Sequence, residues 1–549
     1  MWSVVNATPI SLNYGTFPKR VFAACILLFA MLLGMCAVVA NDNFKIFALS
    51  LVSSALLLSI LLSIRNRILR TALVDVFFII AAASFFVRQV YTSISKDMIL
   101  ATVGVSWHVS LGLIETVPLY YVGALVAFLL VISALSYHAY IYIPGRLKFY
   151  VLPIPLIVSL LEPVRADLAD WGYRWFVNNN MYSATFMAQD YLDTYKIFWG
   201  DIVTASMISI EAYADSMKYA QVAHAKMPDY MSRESAGADK VIFVIGESSN
   251  VKRYSAYGYS VPTTPNLDQM VKSGGICLVN KVHSSTPTTR TSVPMYVSFA
   301  TPEAPENLFV YKNIMEMAQD NGYKTYWIGS QRLTTLWDKT YYFVAKYADI
   351  IDTPSQKNTS YEIRESKDDD LIGPVQGLFK TAPQKAFFVI HLTGNHLSYK
   401  ANRDETDAQA LPNADEYDRS VHHVDHLLKQ IMDEADKDFG SSYQLVYLPD
   451  HGEAVNHGHG FATHLNEMYL IPLLSNARAN CDEMEKLRGP DGYVAGETVK
   501  YLMMHLLGYK TDDDFLAQAR DNSDKILNGF EQIQDFKKLD SCSSQDCPD

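Results

Sequence analysis

Apolar and polar positions divide the chain into two unlike parts. Up to residue 161 the apolar residues run in long blocks, at 21–40, 46–64, 71–87, 117–137 and 149–161. The first block is twenty uncharged residues, long enough to cross a bilayer core as a helix. The third holds Asp75 and follows the basic run Arg65, Arg67, Arg70; the fifth is the shortest and contains Pro153 and Pro155. Five spans are therefore expected, with no cleaved leader, because further spans follow the first. Beyond them the pattern changes to short runs of about five apolar residues, each ending abruptly in polar ones, as in "KVIFVIGESS", "KTYWIGSQ", "KAFFVIHLTGNH" and "YQLVYLPDHGE". Continuous apolar runs of this length predict strands buried on both faces of a parallel sheet.

Charge orients the first part. Loops on one side of the five spans carry Lys19, Arg20, Arg65, Arg67, Arg70, Arg146 and Lys148, against Lys45, Arg88 and Lys96 on the other. The basic side is the cytoplasmic one, so the large polar part is expected outside the cytoplasm. Residues 162–239 mix charges with Trp171, Tyr173, Trp175, Phe176, Tyr191, Tyr195, Phe198 and Trp199, a composition suited to helices and a linker at the membrane interface, or to ordinary amphipathic bundle helices. A net charge of −12 argues against nucleic acid as a partner. The six cysteines lack metal-ligand spacing, and Cys542 with Cys547 is the expected disulfide.

The four strands give the second part its chemistry. In open α/β sheets ligands bind at the carboxyl ends of strands. These strands end in Glu247, in Ser330 and Gln331, in His391 and His396, and in Asp450, His451 and Glu453. His457, His459 and His464 follow closely. A Zn²⁺ held by Glu247, Asp450 and His451 would leave a fourth position open, where a hydroxyl loses its proton far more readily than in water. The segment "SSTPTTRTSVPMY", beginning at Ser284, has hydroxyls to offer. Its local composition alone reads as a polar surface loop.

The order of Glu247, "RYSAYGYSVPTTPNL", "TRTSVP", "TGNH" and "PDHGE" resembles the phosphoethanolamine transferases, membrane-anchored members of the alkaline phosphatase/sulfatase superfamily that decorate lipopolysaccharide. The resemblance runs from the spans to about residue 475 and implies a five-helix membrane domain followed by an α/β domain with a mostly parallel central sheet. In that family the nucleophilic threonine lies five residues before the proline of a Ser-(Val/Leu)-Pro element, which here is Thr289. By the same matching Glu247, Asp450 and His451 resemble the remaining zinc ligands, and His396 the histidine near the phosphate. Both His457 and His459 fit the last family histidine, and His459 is chosen by its distance to "YLIPLL". Gln331 resembles a contact on the headgroup side, and Glu115 the membrane-side glutamate of the donor site.

The resemblance implies transfer of phosphoethanolamine from phosphatidylethanolamine to lipid A, Kdo or a core sugar through a phosphothreonine, by an enzyme of the bacterial inner membrane with its catalytic domain in the periplasm. Two departures bear on the acceptor. Lipid A-modifying members flank the nucleophile with a disulfide, but Ser285 and Met295 occupy those positions. Thr289-Arg290-Thr291 resembles branches that act on core sugars, Kdo or periplasmic glucans. The alternatives are a phosphoglycerol or phosphoethanolamine transferase acting on a glucan, then a sulfatase-like hydrolase or a non-enzymatic scaffold. A sulfatase would need Cys or Ser followed by x-Pro-x-Arg, and the segment from Ser285 to Arg290 has one residue too many. The expected domains are 1–161 in the membrane, 162–239 interfacial, 240–530 catalytic and 531–549 a tail.

Overall fold

A computed structural model describes residues 57–91, 119–143, 226–331, 333, 339–353, 367–460, 465–529 and 531–541. The spans expected at 21–40 and 149–161, most of 46–64, Glu115, nearly all of the interfacial segment, His464, Cys542 and Cys547 lie outside the described residues. The chain divides into two compact units, one drawn from 1–94 and 114–211 and the other from 95–113 and 212–549.

In the first unit α1 (Arg67–Tyr91) and α2 (Leu119–His138) contain the runs expected at 71–87 and, for the most part, 117–137. Their contacts run in opposite directions along the two helices. Arg70 donates to the carbonyls of Ser136 and Tyr137 at 2.8 and 2.7 Å, Ser133 Oγ donates to Asp75 at 2.7 Å, and the Phe78 and Phe128 rings meet edge to face at 5.4 Å. The pair is therefore antiparallel, with a guanidinium on the carbonyls at the end of α2, where a helix leaves them unpaired. Ile68, Leu69, Leu73 and Val76 on α1, and Val126, Leu130 and Val131 on α2, are exposed. Among the described residues no helix is long and apolar enough to cross a membrane.

The second unit is a three-layer α/β domain, with helices packed on both faces of a mostly parallel sheet. Its main sheet has eight strands: β1 (Lys240–Gly246), β2 (Cys277–His283), β3 (Lys324–Gly329), β4 (Ile350–Asp352), β5 (Ala386–His391), β6 (Tyr443–Pro449), β7 (Leu470–Ser475) and β8 (Val494–Ala495). They lie in the order β4-β3-β5-β1-β6-β7-β2-β8, with all neighbours parallel except those of β7, which runs against both β6 and β2. The four strands expected from the apolar runs are β3, β5, β1 and β6, adjacent at the centre of the sheet.

Alternation within these buried strands makes two cores. Val241, Phe243 and Ile245 of β1 face one layer with Val293 and Tyr296, from α3 (Thr289–Val297). Ile242 and Val244 face the other layer with Val421, Val424, Leu428 and Ile431 of the long helix α5 (Glu416–Phe439), whose apolar positions recur every three or four residues. Just before α5 in the chain, α4 (Glu405–Ala410) is a short helix capped by Asp404.

Among the described residues one disulfide, Cys277–Cys481, joins the start of β2 to the helix Arg478–Lys486 across a sequence separation of 204. Neither cysteine carries a sequence signal, because the bridge closes a long loop that only the folded sheet brings together. Removing it frees that loop in the unfolded chain. Replacing both cysteines with serine is expected to cost about 2–5 kcal/mol of stability, read from denaturant unfolding of the purified chain. An unchanged unfolding midpoint would show that the edge of the sheet holds without the bridge.

Candidate functional site

Strand register brings the polar ends together. Gly246 pairs with Pro449, Ile245 with His391, and Gly329 with His391, so Glu247, Asp450, Leu392 and Ser330 each leave the sheet at about one level. The N–H of Asp450 donates to Gly246 O at 3.0 Å, carrying the ladder one residue beyond the strands.

Glu247 and Asp450 thus emerge side by side, both fully buried, with Ser248 linking them. Its N–H donates to Asp450 Oδ1 at 3.1 Å and its hydroxyl to Glu247 Oε1 at 2.6 Å. Doing both puts Ser248 at φ 51°, left-handed backbone in which a side chain other than glycine is strained. Asp450 Oδ1 also takes the N–H of His451 at 2.7 Å, while Oδ2 is buried without a hydrogen-bond partner and stands 3.3 Å from His451 Nε2.

His451 completes this corner. Its Nδ1 donates to the Gly452 carbonyl at 2.8 Å, which fixes the tautomer and turns the Nε2 lone pair inward. Nε2 lies 3.3 Å from Glu247 Oε1 and 3.4 Å from Thr289 Oγ1. The fit is close at Gly452, where a β-carbon would stand 2.2 Å from the Glu467 carbonyl oxygen.

The hydroxyl-rich segment is buried, contrary to its local composition. Ser284, Ser285, Thr286 and Ser292 have no exposed surface, and Thr288 and Thr289 have almost none. Ser284 Oγ donates to the Thr286 carbonyl, and the Thr291 hydroxyl bonds those of Thr286 and Thr288. Thr289 alone in this segment sends its hydroxyl to Glu247, donating to Oε2 at 3.0 Å. It is the first residue of α3, where the helix presents unpaired N–H groups and its positive dipole end.

Outside this group stand the other candidates. His459 Nδ1 lies 2.6 Å from Glu453 Oε2, and its ring centre is 4.2 Å from that of His451 and 5.7 Å from that of His396. Glu453 is itself held by the Tyr399 hydroxyl at 2.6 Å. Gln331 donates to Glu247 Oε2 at 2.9 Å and to the Leu392 carbonyl at 3.1 Å. His457 is exposed at the Ala454–Gly458 turn. His391 points into the core, edge-on to Trp327 and Tyr341, with burial pushing its pKa down to about 4.

The site's electrostatics are those of a cation cradle. Burial and then the charge of Glu247 push the Asp450 carboxyl well up. Burial also works against an ionised Glu247, yet His451, with His396 and His459 behind it, holds that carboxyl well below its ordinary range. Glu247, His451 and His459 each offer an atom within 4.8 Å of the others. The carboxylates, an inward Nε2 and an unpartnered Oδ2 fit a zinc-class ion.

Sequence reasoning missed the supports. Ser248 and Ser249 directly follow the strand-end glutamate in "GESS", a visible signal. Asp368 gave none, because it sits in "KDDD", which reads as a solvated run. It is buried and accepts the N–H groups of Thr393 and Gly394 at 2.8 Å each, fixing the loop that leads to His396. Gly394 (φ 52°) passes so close to Glu247 that a β-carbon would lie 3.0 Å from its backbone.

Residues 239–478 match the Sulfatase family. The chain is 28% identical over 260 residues to phosphoethanolamine transferase EptC of Escherichia coli strain RS218, covering 43% of this chain and 44% of that one. It is 22% identical over 423 residues to phosphoethanolamine transferase EptA of Helicobacter pylori, covering 72% and 73%. Among solved structures, the integral membrane protein lipooligosaccharide phosphoethanolamine transferase A of Neisseria meningitidis matches with a TM-score of 0.62 at 16% identity, over 90% of this chain and 96% of that one. The two share a fold. The chain spans less than half the length of the EptC relative.

The close approach at Gly452 is directly testable. Gly452→Ala must push His451 or the Glu467–Leu470 backbone aside, an overpacking expected to cost about 1–3 kcal/mol. Calorimetry should read this as a melting temperature lower by several degrees; an unchanged value would mean that the backbone gives way freely.

Proposed function

We propose that this chain, whose residues 239–478 are a Sulfatase-family domain, is a phosphoethanolamine transferase that moves the group from phosphatidylethanolamine to a lipopolysaccharide-type acceptor through Thr289. One observation carries the reading. Of the hydroxyls between Ser284 and Ser292, that of Thr289 stands against Glu247 and His451 at the N-terminus of a helix. The names of the relatives supply the group transferred, and one of them names Kdo and lipid A; lipid A, Kdo or a core sugar is the acceptor class of this reading.

In this reading the Thr289 oxygen attacks the phosphorus of the donor lipid. The bond from oxygen to phosphorus forms, the ester bond to diacylglycerol breaks, and the diacylglycerol oxygen leaves with a proton. An acceptor hydroxyl or phosphate oxygen then attacks the same phosphorus and releases Thr289. Glu247, Asp450, His451 and Thr289 would hold a Zn²⁺, which would supply positive charge that favours loss of the hydroxyl proton and offsets phosphate charge. Glu247 orients the hydroxyl, and the N-terminus of α3 adds N–H groups for phosphate oxygens. His459, with Nδ1 held by Glu453, keeps Nε2 for a proton at the leaving or attacking oxygen, and His396 stands beside it. Gln331 holds Glu247, and Glu115 and His457 are assigned to the lipid and headgroup side. The apolar outer faces of α1 and α2 suit lipid, consistent with an inner-membrane anchor and a periplasmic catalytic domain.

Incubating the purified chain with phosphatidylethanolamine and no acceptor should accumulate a phosphoethanolamine adduct, mapped by tandem mass spectrometry to Thr289. Thr289→Ala should lose the adduct and roughly 10³-fold or more of transfer while remaining folded. Thr288→Ala and Thr291→Ala should keep substantial activity. An adduct on Thr288, or one with the mass of phosphoglycerol, would overturn the assignment.

Metal content is a separate check. Asp450→Ala or His451→Ala should release the zinc of this centre, measured by elemental analysis, and abolish transfer. Normal turnover by a variant freed of that zinc would remove the metal from the mechanism.

A further inference from the structure

A second group of histidines gathers away from Thr289. Asp407 of α4 is fully buried, and three imidazoles from α5 converge on its carboxylate. His422 Nδ1 lies 2.7 Å and His426 Nδ1 3.5 Å from Oδ1, while His423 Nδ1 lies 2.9 Å from Oδ2. Charge balance for one carboxylate needs a single imidazolium, so three imidazoles exceed what an ion pair requires. His423 has its own account, since its Nε2 lies 3.3 Å from Asp369. His422 and His426 do not.

These two stand one helical turn apart on one face of α5, with ring centres 4.4 Å apart. A pair of histidines at i and i+4 with a carboxylate from a second element is a ligand set for one ion. One atom from each of Asp407, His422 and His426 lies within 4.8 Å of the others. Ligand atoms around a tetrahedral ion with bonds of about 2.0–2.1 Å stand roughly 3.3 Å apart, so the 2.7 and 3.5 Å separations need only small adjustment. Two imidazoles and one carboxylate select a zinc-class divalent ion over Mg²⁺ or Ca²⁺, which prefer oxygen. His426 is 39% exposed in its side chain, giving the ion an entry and water the fourth position.

We propose that Asp407, His422 and His426 form a second, structural site for a zinc-class divalent cation, which staples α4 to α5. The staple has a route to the loop bearing His396. His423, between the two ligand histidines, holds Asp369, and the adjacent Asp368 holds Thr393 and Gly394. This assignment stands on the geometry of α4 and α5 and does not depend on Thr289 being a nucleophile.

The test counts zinc in the full-length purified chain after equilibration with Zn²⁺ and removal of free ion. The wild type should hold about two equivalents, Asp450→Asn and His426→Gln about one each, and the double variant almost none. His426→Gln changes a half-exposed side chain and should fold normally, so its comparison with the wild type decides the matter even if Asp450→Asn is unstable. Zinc addition should also raise the melting temperature of Asp450→Asn, and His426→Gln should abolish that rise. Equal zinc content with and without His426→Gln, in either background, would overturn the site. So would a wild type holding one equivalent that Asp450→Asn removes.

Discussion

Glu247 and Asp450 leave adjacent parallel strands at the same level, and neither reaches water. Two carboxylates buried together repel each other and have lost their hydration, an arrangement that costs several kcal/mol unless positive charge and hydrogen bonds compensate. Much of the surrounding structure supplies that compensation. Ser248 gives each carboxylate a donor, Gln331 and Thr289 give two more to Glu247, and His451 presents Nε2 between them. The unpartnered Asp450 Oδ2 marks where this provision stops short and where a cation fits.

Holding such a group still takes a second ring of support, and α5 provides a large share of it. Tyr417 donates its hydroxyl to the Ser248 carbonyl at 2.6 Å and accepts the Asn250 N–H at 2.7 Å, fixing the strained turn from below. Asp418 pairs with Arg253 at 3.0 Å, and Asp425 takes the N–H groups of Asn266 and Leu267 at 2.9 Å each. The segment "RYSAYGYSVPTTPNL" is thereby strapped to the helix along its length. Its tyrosines serve the same end, Tyr254 bonding Ser249 and Tyr257 bonding both backbone groups of Leu473. Such buried networks fix one geometry because breaking any link strands a polar group.

The strands were legible in advance for a physical reason. A strand buried on both faces must be apolar at every position, so β1, β3, β5 and β6 appear as unbroken runs. Their polar ends were equally plain, because parallel strands deliver their last residues to one edge. Glu247, Asp450 and His451 were therefore readable as a group in the sequence, whereas the choice of His459 over His457 came only from the family resemblance. The antiparallel β7, the link that Ser248 makes to Asp450, the support Asp368, and the Cys277–Cys481 bridge were not. Each depends on a partner between 25 and 204 residues away in sequence, and nothing in the local pattern names that partner.

The hydroxyl segment marks the boundary between the two kinds of knowledge. By itself the sequence determined which side chains could act, since an oxygen nucleophile, carboxylates and imidazoles are chemical facts of the chain. It also determined the strand ends, since continuous burial writes itself as continuous apolarity. Tertiary structure decided what each hydroxyl faces. Seven lie within nine residues and are nearly equivalent in local pattern, and they differ only in what surrounds them. Thr286, Thr288 and Thr291 face one another, whereas Thr289 faces Glu247, 42 residues earlier, and His451, 162 residues later. Burial and direction are set by contacts between distant segments, so a segment that reads as a polar surface loop became the buried start of a helix.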